Sequence, residues 1–175
     1  MNVIDQVSQL LEREGIAFTM NGDGTKIIIQ AETVSLDLTV DVNIRNRQFE
    51  IQAALPVRVP ENRRKEMCEM ITRINWILKT GGFLMDMDDG ELKFKIDGFI
   101  GQETFGEGEF EEFFDATMLR ALIAMEDLHG IFLKIITYGI TAQEGMEMVY
   151  VKNQRAKIPA KVPEHLIQMD SINTN

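Results

Sequence analysis

The sequence predicts an α+β fold. An antiparallel sheet, made of a four-strand meander plus a hairpin, carries helices on one face in the order α-ββββ-α-ββ-α. Three observations predict it. Val34, Leu36, Leu38, Val40, Val42 and Ile44 alternate with polar residues, the period of a strand with one wet face. Asn21-Gly22-Asp23-Gly24 and Asp89-Gly90 are hairpin signals, because these residues tolerate positive φ. Apolar residues recur at helical spacing in three separate stretches.

Val3, Ile4, Val7, Leu10 and Leu11 form the first helical stripe, ended by Gly15. Ile16, Phe18 and Met20 alternate as a short strand, and Lys26–Ala31 returns after the Asn-Gly-Asp-Gly turn. The alternating strand from Val34 follows, then a turn at 45–48. Phe49, Ile51, Ala53, Leu55 and Val57 complete the meander. Pro60 opens a second helix in a favoured first-turn position. Its stripe is Met67, Met70, Ile71, Ile74, Ile77 and Leu78, and Gly81-Gly82 closes it.

A hairpin comes next. Phe83, Met85 and Met87 lead through Asp89-Gly90, read as a type I′ turn, to Leu92, Phe94 and Ile96. After a glycine-containing loop over 101–108, a long helix is marked by Phe110, Phe113, Phe114, Met118, Ala121, Leu122 and Met125. Glu109, Glu111, Glu112 and Asp115 suit the positive end of its dipole. Gly130 is a point of kinking or interruption before the pattern resumes to Gly139. Thr141 with Glu144 fits a capping box for a final short helix. Residues 1–150 therefore read as a single domain. Residues 151–175 read as a polar, mobile tail, in which Pro163–Met169 also has the pattern of a short amphipathic docking segment.

Composition narrows the function classes. The chain has 175 residues, 45% of them hydrophobic, enough for a sizeable core. The net charge of −10 opposes nonspecific nucleic-acid binding and docking on anionic lipid, so neither nucleic acid nor membrane is expected as a partner. A lone cysteine, Cys68, allows no internal disulfide and no zinc site built on cysteines. The segment Met1-Asn2-Val3-Ile4-Asp5 lacks the basic and apolar regions of a signal peptide, and no apolar run reaches membrane-span length. The expected location is the cytoplasm. Eleven methionines either fill the core or line adaptable surfaces.

Catalytic constellations fail on spacing. His129 lies in a helical stretch and His165 in the tail, so a Cys/His pair with Cys68 rests on proximity alone. Asp86, Asp88 and Asp89-Gly90-Glu91 resemble a calcium loop, but the glycine falls one position early and no glutamate closes it. Gly101, Gly106 and Gly108 are followed by no Lys-Ser/Thr, and Glu103, Glu107 and Glu109 would repel phosphate. Glu111 and Glu112 are adjacent on a helix and diverge. No enzyme activity, cofactor or metal is expected. The candidate contact residues are Arg45, Arg47, Arg58, Arg63, Arg64 and Lys65. The last three sit in a first helical turn, where cations oppose the dipole. Together they would form a basic patch for an acidic partner segment, unless Glu61, Glu66 and Glu69 neutralise it.

The order of elements resembles the YbjN-like family, which has the fold of type III secretion chaperones. The most specific stretch runs from Ile74-Asn75-Trp76 through Gly82-Phe83-Leu84-Met85-Asp86 to Gly90-Glu91-Leu92-Lys93-Phe94. The feature that carries it is a central helix with a late Asn that passes through glycine into a hairpin. The resemblance implies a noncatalytic protein-binding or regulatory module of chaperone-like type, dimeric, with no defined catalytic residues. The extension beyond Gly139 departs from a minimal chaperone and bears on whether a groove is open. The alternative is a small-molecule sensor with a pocket between sheet and helices.

Overall fold

A computed structural model describes residues 3–45, 48–99 and 108–155. The elements are α1 (Val3–Arg13), β1 (Phe18–Met20), β2 (Lys26–Glu32), β3 (Asp37–Arg45), β4 (Gln48–Arg58), α2 (Glu61–Ile77), β5 (Gly82–Met85), β6 (Glu91–Phe99), α3 (Glu109–Tyr138) and α4 (Ala142–Arg155). All six strands join one antiparallel sheet in the order β1-β2-β3-β4-β6-β5, so the hairpin enters with its second strand beside the meander.

One face of this sheet is apolar because of the period-two alternation. Ile27, Ile29, Leu38, Val40, Val42, Ile51, Ala53, Phe94 and Ile96 are buried in one core with helical residues such as Leu10, Met70, Phe114 and Phe132. Each large apolar side chain removed from water contributes about 1.5–3 kcal/mol before entropy is counted. Phe49 in β4 stands opposite Gly98 in β6. Its ring covers the space a side chain at 98 would need. The same ring meets Phe113 at 5.5 Å and Phe114 at 5.3 Å between centroids, joining sheet to α3.

The opposite face is polar and internally paired. Lys26 Nζ lies 2.6 Å from Asp41 across β2 and β3. Glu50 accepts from Lys95 and Gln52. These groups sit on alternate strand positions, as cross-strand neighbours must.

Several expectations need correction. Val34–Leu36 do not belong to the third strand. Thr33 and Leu36 close a tight turn instead, and Val34 is 72% exposed, because this turn is bonded to α3 rather than to a neighbouring strand. The β5–β6 connection is not a two-residue turn. It spans 86–90, with Asp86 and Glu91 bonded across it and Gly90 at φ +77, where its Cα faces the Val59 carbonyl too closely for a side chain. α2 ends at Ile77, ahead of the glycine pair, as its chain turns extended at Leu78. Gly130 does not interrupt α3, which runs unbroken for 30 residues, about 45 Å at helical rise. Gly130 is exposed and leaves room for a side chain, so nothing forces a kink there. A fourth helix follows through the expected capping box: the Glu144 amide donates to Thr141 Oγ1 (3.2 Å) and the Thr141 amide to Glu144 Oε2 (2.7 Å). It is a helix of 14 residues.

Candidate interaction surface

The C-terminal turn of α2 is fixed by one side chain. β5 is a margin of the sheet, and a margin strand leaves backbone donors and acceptors unpaired. Asn75 satisfies both groups of Phe83: its Nδ2 donates to the Phe83 carbonyl (2.9 Å), and the Phe83 amide donates to its Oδ1 (2.8 Å). A carboxamide presents a donor and an acceptor side by side, so Asn75 acts as a short stand-in for the next strand. A side chain at 82 would place its Cβ 3.4 Å from the same amide group.

Next to this clamp lies exposed apolar surface. Trp76 is 90% exposed, Ile77 41%, Leu84 44% and Met87 53%. Cys68, Thr72 and Trp76 share one line of α2 by their spacing of four. Cys68 Sγ lies 3.3 Å from Met87 Sδ, so the hairpin turn sits over the start of that line. An aromatic ring of 150–250 Å² left in water beside a rigid backbone is the composition found at the centre of protein contacts.

Of the six expected contact cations, three hold contacts within the chain. Arg58 pairs with Glu91 (2.9 Å) and Asp89 (3.3 Å). Arg64 donates to the carbonyls of Val59 (3.2 Å), Met87 (2.8 Å) and Asp88 (3.2 Å), binding α2 to the hairpin turn. The Arg63 guanidinium lies against Gly139, where α3 ends in a left-handed cap. A cation there faces the negative end of the α3 dipole, which offsets its unfavourable place at the start of α2. Lys65 is exposed on α2. Arg45 closes β3, and Arg47 lies outside the described residues.

The other ionisable groups hold elements together. Arg13 makes a two-pronged bond to Glu111 (2.8 Å each), linking α1 to α3 and holding the Glu111 carboxyl below the usual range. Burial pushes the nearby Asp115 carboxyl up, reinforced by Glu14 and Glu111. Glu126 on α3 accepts from Ser35 Oγ and Thr33 Oγ1, both at 2.5 Å. Burial pushes its carboxyl up, but the hydroxyl bonds prevail and hold it below the ordinary value. His129 Nδ1 lies 2.9 Å from the Glu126 carbonyl within α3, and His165 is outside the described residues. Among the described residues no group of three or more His, Cys, Asp or Glu is arranged to hold a metal ion, and no helix is long and apolar enough to cross a membrane. A groove of about 450 Å³ runs along the outer side of α4.

The family model described as "Putative bacterial sensory transduction regulator", YbjN, matches residues 4–118. The chain belongs to the YbjN family. Among solved structures it is similar to YbjN from E. coli, titled "a putative transcription regulator", with 16% identity, a TM-score of 0.49, and coverage of 67% of this chain and 80% of that one. Among curated proteins none matches in sequence. The YbjN match begins within α1 and ends within α3, so it includes the Asn75 clamp and Trp76 and stops short of α4. The late Asn was visible in the sequence as part of the family pattern. Its bond to Phe83 was not, because nothing in the spacing of 75 and 83 says which strand becomes the sheet margin. Glu126 gave no signal at all, being one more glutamate on an acidic helix.

Proposed function

We propose that this YbjN-family chain is a noncatalytic regulatory module that acts by binding another protein, with the apolar surface around Trp76 as its contact. The observation that carries this reading is a tryptophan 90% exposed next to a side chain that fixes the helix end. A tryptophan on an ordered helix end has only two side-chain torsions to fix on binding, so it loses little conformational freedom. The family's description as a regulator of sensory transduction is compatible with it. Of the cations, Lys65 is the member best placed to assist, while Arg58, Arg63 and Arg64 hold contacts within the chain that a partner would have to replace. The layer between sheet and helices is filled by Phe49, Phe83, Phe94, Phe114 and Phe132, which disfavours a sensor pocket there. If two copies pair, a helical surface is the expected seam, since Asn75 already occupies the β5 margin.

The test is capture from a lysate of the cell that makes the protein, with wild type and Trp76→Ala side by side. Wild type should enrich one polypeptide, and Trp76→Ala should lose it while changing stability by less than about 0.5 kcal/mol, as an exposed position does. Equal recovery of the same polypeptide by both proteins, or no specific recovery by wild type, would sink the reading.

A further inference from the structure

One side of α4 is fixed to the domain by the buried Ala142, Met146 and Val149. The other side forms the groove lined by Ile140, Glu144, Glu147, Met148, Val151 and Lys152. Val151 is 50% exposed and Met148 is partly buried, so apolar surface meets water near the middle of the helix. Glu144 stands four residues before Met148 and Lys152 four residues after it, which places the three in one row. Along the helix that row reads acid, apolar, cation.

Such a row is complementary to itself. A two-fold axis through Met148 turns the helix end for end, so the acid of one copy meets the cation of the other at both ends. We propose that α4 pairs antiparallel with α4 of a second copy across an axis at Met148. Met148 meets its own counterpart, Val151 widens the apolar centre, and Glu144 of each copy pairs with Lys152 of the other. Each charge stands about 6 Å from the axis at helical rise, on opposite sides, so the two pairs form together. Lys134 of α3 adds to the match. Its Nζ lies 3.9 Å from Met148 Sδ, beside the axis, where Glu147 of the other copy also falls.

Bonding within each copy leaves the needed atoms. Glu144 uses Oε2 for the Thr141 amide (2.7 Å) and hydroxyl (2.9 Å), so Oε1 is the oxygen that receives the cation. Lys152 Nζ gives two of its three donors to Asp127, to the carbonyl (2.9 Å) and the carboxylate (2.8 Å), and the third serves Glu144 of the other copy. The mixed charge selects the occupant. A basic segment in this groove would face Lys134 and Lys152, and an acidic one would face Glu144 and Glu147, whereas a reversed copy of α4 meets all four with opposite sign. The YbjN match stops before α4, so the seam belongs to this chain's extension. It goes beyond the Trp76 reading and does not depend on it, since Trp76 lies on α2.

The experiment is analytical ultracentrifugation of the full chain with a crosslinking arm. Wild type should sediment as two copies when concentrated and as one copy on dilution. Lys152→Glu sets like charges at both ends of the seam and should weaken association at least about tenfold. Trp76→Ala should leave it unchanged. In a Cys68→Ser background, Met148→Cys should oxidise to a disulfide-linked pair, because the axis brings the two positions together, while Gln143→Cys, exposed on α4 but outside the groove, should not. A wild-type chain that stays at one copy up to about 0.5 mM would overturn the proposal, the groove then being filled from within the chain or by another protein. A pair that ignores Lys152→Glu, or that crosslinks through Gln143→Cys as readily as through Met148→Cys, would overturn it as well, because the two copies would then meet elsewhere.

Discussion

The two margins of the sheet are defended in different ways. At β5 the defence is a side chain from another element: Asn75 bonds both free backbone groups of Phe83. At β1 the strand itself is reduced to three residues, so little backbone is exposed to pair with. The fastening on that side lies further in, where Glu126 of α3 holds the β2–β3 turn through Thr33 and Ser35. The difference teaches that a margin can be closed by a specific bond or by shortness. The first kind fails at one residue and the second does not.

Asn75→Ala should show this most strongly. It strips two hydrogen bonds from a margin strand, at about 1 kcal/mol each. Urea denaturation should therefore show a loss of about 2 kcal/mol, and light scattering should show association that grows with concentration as the freed margin finds partners. A variant that keeps the wild-type size at every concentration and the wild-type stability would contradict the clamp. Glu126→Gln should cost less, about 1–2 kcal/mol at neutral pH, by weakening two charge-assisted bonds.

Its pH dependence is the sharper observation. The Glu126 carboxyl is held below its ordinary value in the folded protein. Its contribution is therefore fully present above the unfolded value, about 4.3, and is lost as pH falls through the lower folded value. The stability difference between wild type and Glu126→Gln should shrink as pH drops below about 4.3, measured by urea midpoints along a pH series. A difference that stays constant over that range would remove the carboxylate from the account. At the other margin, Met20→Lys should change stability by less than about 0.5 kcal/mol, since Met20 is 45% exposed on a strand defended by its length. Thermal melts would check it.

Sequence reasoning reached the fold further than the surface. Alternation in β3 and β4, the hairpin signals and the helical stripes are local patterns, so they could be read directly. The same locality misled at Val34–Leu36, where the alternation continues but Glu126, 91 residues beyond Ser35 in sequence, claims the turn. It misled at Gly130 too, where a helix tolerates glycine because its neighbours carry the packing: Leu128, Ile131 and Phe132 are buried. The cations show the limit most clearly. Their number was legible, but their partners were not, because Arg63 meets Gly139 and Arg64 meets the 87–88 carbonyls only once the chain has folded.

The meeting of Phe49 with Gly98 has a consequence for inheritance. The ring fills the place of a side chain at 98, so the two positions share one volume. Neither can change freely alone: a methyl at 98 drives the ring into Phe113 and Phe114, and a smaller residue at 49 opens a hole above the glycine. Descendants of this chain that depart from one should depart from both, exchanging bulk across β4 and β6 while the strands keep their register.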